Sequence, residues 1–81
     1  MRVVTSITSD NLDRTRRLDR IKEIMGTRKC VVYSDTESGY MTDDGWCDNI
    51  KDAKIATFNE MLERTAELSA SSLLRYLFVK I

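Results

Sequence analysis

Asp43, Asp44, Asp48 and Asp52 fall in one irregular stretch of the chain, and clustered carboxylates are what hard cations such as calcium or magnesium take as ligands. Their spacing lacks the alternating ligands and twelfth-position glutamate of an EF-hand loop, so they read as solvated turn and capping residues and no metal is expected. A second cluster, Arg14, Arg16, Arg17, Arg20 and Lys22, is of the kind that contacts nucleic-acid phosphates. Asp13 lies three and four residues before Arg16 and Arg17, and Glu23 three after Arg20, so part of this charge finds partners along its own helix.

Histidine is absent, which removes the commonest general base, proton shuttle and metal ligand together. Cys30 sits in an apolar run where a buried, inert thiol is the ordinary case, and Cys47 has no imidazole to generate a thiolate. A small secreted domain would carry more cysteines at framework spacing, so two reduced thiols are expected. These absences leave no catalytic residue to name and no cofactor to expect, and the chain reads as a non-enzymatic protein.

The elements that position these residues follow from local pattern. RVVTSIT at residues 2–8 is short and β-branched, and Ser9 and Asp10 are N-cap residues for a helix beginning near Asn11. That helix runs to about Met25, with Leu18, Ile21 and Met25 on one side and Gly26 placed to end it in a left-handed conformation. Cys30 to Ser34 and Tyr40 to Thr42 read as a hairpin around the turn residues 35–39. Asp43, Asp44 and Gly45 make a second turn, Trp46 to Asp52 is irregular, and Ala53 to Thr57 adds a short extended segment.

Thr57 and Glu60 form a capping box for a second helix, with Phe58, Met61, Leu62, Thr65 and Ser69 on its apolar face. Serines end it, and Leu73 to Ile81 alternates as a central strand would. The order β-α-β-β-α-β predicts a single α+β domain, most simply a ferredoxin-like split βαβ with two helices on one face of an antiparallel sheet. The other face of such a sheet remains open to a partner. RNA recognition motifs share that topology, but RVVTSIT carries no aromatic residue with which to stack a base.

With 81 residues, 42% of them hydrophobic and 32% charged, the chain suits one packed domain near the lower size limit for an unstapled core. Marginal stability and self-association through a strand edge or the open sheet face, as a homodimer, follow as expectations. The first residues lack the apolar run of a signal peptide and no stretch is long enough to span a membrane, which predicts a cytoplasmic protein. The net charge is zero, yet residues 1–30 carry eight basic and four acidic side chains, and residues 31–60 two basic and seven acidic. A polarised but neutral chain favours binding by complementary charge over bulk attraction to nucleic acid.

The segment GYMTDDGWCDNIKDAK, residues 39–54, resembles a recurring stretch in small phage and prophage proteins, through Tyr40, Thr42, Gly45, Trp46, Asp48, Ile50, Ala53 and Lys54. The resemblance covers about a fifth of the chain and implies an accessory protein of phage origin, acting in the host cytoplasm. Such a protein would bind a host protein as an anti-defence or host-takeover inhibitor.

Tyr40, Asp43, Asp44, Trp46 and Asp48 are the candidate recognition surface, aromatic area ringed by carboxylates that suit a partner with a basic surface. The alternative is a nucleic-acid-binding module using Arg16, Arg17 and Arg20.

Overall fold

The computed structural model describes residues 2–9, 18–67 and 73–80. In chain order the elements are β1 (Arg2–Thr8), α1 (Leu18–Met25), β2 (Lys29–Ser34), β3 (Gly39–Met41), β4 (Trp46–Cys47), a 3-10 turn (Ile50–Asp52), β5 (Ala56–Thr57), α2 (Phe58–Arg64) and β6 (Leu74–Lys80). The six strands form one sheet in the order β1-β6-β2-β3-β4, with β5 beside the start of β2, and every pairing is antiparallel.

The α+β class and the antiparallel sheet agree with the sequence, and β6 is the central strand that its alternation predicted. The strand order differs from the ferredoxin-like one. That fold holds its first strand inside the sheet, whereas here β1 is an edge and β6 stands between β1 and β2. Periodicity fixes which residues of a strand face the core, but it does not fix which neighbour the strand docks against.

Alternation places Cys30 and Val32 of β2 and Leu74, Tyr76 and Phe78 of β6 on one face, and the register pairs Cys30 with Phe78 and Val32 with Tyr76. These residues join Met41, Ala56, Phe58 and Met61 in the core, and Ile21 and Met25 of α1 and Leu62 of α2 pack against them. Both helices therefore cover the same face. Phe58 meets Tyr76 edge-on with ring centroids 5.4 Å apart and tilts over Phe78 at 5.1 Å, which anchors the start of α2 at the centre of the sheet.

The N-terminus of α2 forms as the sequence predicts, with Thr57 Oγ1 accepting from the Glu60 amide. Its docking is set by the turn after α1, where the Gly26 carbonyl accepts from Asn59 N and the Arg28 carbonyl from Phe58 N. Gly26 serves that contact and is not a left-handed terminator, since positive φ among the glycines occurs at Gly45 alone within the described residues. A Cβ at Gly26 would collide with the Lys22 carbonyl oxygen and the Asn59 side-chain amide.

A further departure from expectation lies at residues 46–47, where the irregular stretch begins with a two-residue strand. Tyr40 pairs with Cys47 and Met41 with Trp46. Such a short strand has no sequence periodicity to announce it.

Candidate functional site

Thr42 organises the acidic turn. Its amide donates to the Gly45 carbonyl, and its Oγ1 accepts from the amides of Asp44 and Gly45 at 3.3 and 3.0 Å. The turn projects Asp43 and Asp44 into solvent. Asp43 Oδ1 lies 3.3 Å from Arg64 Nη2 and 3.6 Å from Lys54 Nζ, so this carboxylate ties the loop to the end of α2 and is already paired. Asp48 is exposed two residues beyond Trp46.

The candidate recognition residues do not share one face. Directly opposed residues of antiparallel strands project to the same side, and successive residues to opposite sides. The Met41–Trp46 pair lies on the helix side, where half-buried Trp46 packs against the core. Tyr40 points to the other side, where its ring meets Tyr33 edge-on at 5.0 Å. Gly39 permits the close approach of β4, since a Cβ there would come within 2.9 Å of the Cys47 carbonyl oxygen. The five residues therefore divide into a core-packed tryptophan, a tyrosine on the opposite face of the sheet, and an acidic rim.

No three histidine, cysteine or acidic side chains gather into a metal-binding group among the described residues. The two thiols are free and lie in different settings. Burial pushes the Cys30 thiol up to about 12, which keeps it protonated and unreactive. Cys47 is partly exposed, and its Sγ donates to the Asn49 carbonyl at 3.2 Å.

Arg16 and Arg17 lie outside the described residues, and Arg20 is exposed on α1. Sequence pattern missed two other surfaces. The first is the outer edge of β1, which among the described residues pairs with β6 alone and exposes Val3 and Val4 at 44% and 61%. Its signal was the run of β-branched residues without an acidic residue, which reads as a strand but not as an edge.

The second is a basic corner where β1 begins, β2 begins and β6 ends, formed by Arg2, Arg28, Lys29 and Lys80, all exposed. Arg28 and Lys29 are adjacent in sequence, but Arg2 and Lys80 join them only because the first and last strands pair.

No helix among the described residues is long and apolar enough to cross a membrane. No family model, curated protein or solved structure matches the chain.

Proposed function

We propose that this protein is a non-enzymatic accessory module that binds another protein by accepting a strand of that partner along β1. The observation that carries the reading is the outer edge of β1, which no other strand joins among the described residues and which exposes Val3 and Val4. Edge strands present a row of backbone donors and acceptors, and a partner strand satisfies them at low conformational cost. The Val4 bulge, where the register shifts between Val3 and Thr5, interrupts the edge near one end and leaves Thr5 to Ile7 as its regular part.

The phage resemblance of residues 39–54 makes a host protein the natural partner and inhibition the natural effect. The acidic rim of Asp44 and Asp48 favours basic groups on that partner, since Asp43 is already engaged by Lys54 and Arg64.

Ser6→Lys tests the reading. Ser6 is exposed at the middle of the edge and opposite Leu77, so a lysine there blocks strand addition without touching the core. Crosslinking in host lysate, followed by identification and reconstitution with the purified partner, should give a complex with the parent chain and none with Ser6→Lys. Light scattering across concentration distinguishes a second copy as the occupant, because a doubled mass abolished by Ser6→Lys would make the edge a homodimer contact. A complex that Ser6→Lys leaves intact would remove β1 from the function.

A further inference from the structure

The cations of the described surface are unevenly served. Lys54 and Arg64 reach Asp43, and Arg75 reaches Asp35 at 3.2 Å. Arg2, Arg28, Lys29 and Lys80 converge on one corner of the sheet with no ion pair to a described residue. Arg2 stands directly opposite Lys80 in the ladder, a like-charge pairing that weakens a sheet.

Arg28, Lys29 and Lys80 line a notch of about 570 Å³ whose apolar surface comes from Val4, Phe78 and Val79. The backbone explains why the notch is there. The register shifts at the Val4 bulge, which leaves Val4 out of the ladder with β6 although the strands pair on both sides of it. The two hydrogen bonds from the start of α2 to the Gly26 and Arg28 carbonyls hold the opposite wall in place. Phe78 is buried in the core and fixes one side of the notch, while Val79 projects to the opposite face of β6. No carboxylate contributes to the lining among the described residues, and Thr5 adds a hydroxyl.

We propose that this notch binds the phosphate of a nucleotide unit, with Arg28, Lys29 and Lys80 on the phosphate oxygens and the sugar and base against Val4 and Val79. Arginine offers a planar fork of donors to phosphate and lysine a mobile point charge, so one arginine with two lysines suits a phosphate dianion or diester. The volume is that of a small-ligand pocket, sized for one nucleotide and too small for the acyl chains of a phospholipid. Arg2, next to Lys80, extends the positive field beyond the notch, where a neighbouring phosphate of a single strand would lie. This site shares Val4 and Thr5 with the β1 edge, but its phosphate contacts come from the start of β2 and the end of β6 and Ser6 lies outside it, so Ser6→Lys tests strand addition separately.

The test is fluorescence anisotropy with two probes, a labelled single-stranded oligonucleotide of about twelve thymidines and, separately, a fluorescent ATP derivative, each titrated from about 50 mM to about 200 mM salt. Binding is expected at low salt, and if four cations engage a strand, log affinity should fall against log salt with a slope of about −3. Arg28→Ala combined with Lys80→Ala should weaken binding about tenfold or more, while Lys80→Arg retains it. Since these side chains are exposed, the melting temperature of each variant should stay at or above the parent value.

A steep slope seen only with the oligonucleotide identifies a strand as the ligand, and equal binding of the ATP derivative identifies a free nucleotide; both support the site. Absence of binding by both probes at low salt overturns it. So does oligonucleotide binding that survives Arg28→Ala with Lys80→Ala and is lost when Arg16, Arg17 and Arg20 are replaced by alanine.

Discussion

The hydroxyl of Thr65, at the end of α2, lies 2.7 Å from the phenol oxygen of Tyr76 in the middle of β6, and both residues are buried. Thr65 Oγ1 also donates to the Met61 carbonyl at 2.7 Å, so its single proton is committed and Tyr76 is the donor to Thr65. One short polar chain thus pins the helix to the central strand within the core. Tyr76→Phe removes the donated bond with little change of volume and should cost about 1 kcal/mol of stability. Urea denaturation measures it, and an unchanged midpoint would mean that the bond contributes nothing net.

The two cysteines should separate cleanly by reactivity. At pH of about 8 a thiol reagent should label Cys47 in the folded protein and reach Cys30 only as the chain unfolds, because Cys30 is fully buried and protonated. The same shift carries a stability consequence. Below an ordinary thiol value of 9.0 Cys30 is protonated folded and unfolded, and its contribution is fully present. From there up to about 12 the unfolded thiol ionises and the folded one does not, so stability declines across that window. Cys30→Ala should flatten this part of the pH profile, and an equally steep decline in that variant would assign it to other groups.

Two small residues should respond in opposite directions. Gly26→Ala forces a methyl group into the Lys22 carbonyl and the Asn59 side chain and should destabilise by about 1–3 kcal/mol through separation of α1 from α2. Ser38 has φ of 52° in the turn between β2 and β3, a left-handed conformation that costs a non-glycine residue about 1 kcal/mol. Ser38→Gly should therefore hold or raise the melting temperature. Calorimetry on the pair checks both signs, and a destabilised Ser38→Gly would show that the serine side chain outweighs the backbone strain.

Trp46→Ala and reversal of the acidic turn test the recognition surface residue by residue. With Trp46 half-buried against the core, truncation should cost about 2 kcal/mol, less than a fully buried aromatic. Asp43→Lys should cost up to about 1 kcal/mol, since it sets a cation beside Lys54 and Arg64, whereas Asp44→Lys should be near neutral. Denaturation of the three variants beside a partner-binding assay decides the matter. A Trp46→Ala chain of parent stability that no longer binds would restore the tryptophan to the contact surface.

Residue pattern by itself determined the elements whose signals are local. The Thr57 cap of α2, the alternation of β2 and β6 and the hairpin turn before β3 depend on residues a few positions apart, and they form where the pattern places them. The sequence also fixed the chemistry that is absent, since a chain without histidine has no imidazole in any fold. Only the tertiary structure decided how those elements were ordered and what they brought together. It set β6 between β1 and β2, gave Gly26 a close contact in place of a left-handed turn, and sent Tyr40 and Trp46 to opposite faces. It also gathered Arg2, Arg28, Lys29 and Lys80 at one corner. Each of these depends on docking between segments far apart in the chain, and docking is settled by the sum of many small packing and register energies that no single stretch of residues encodes.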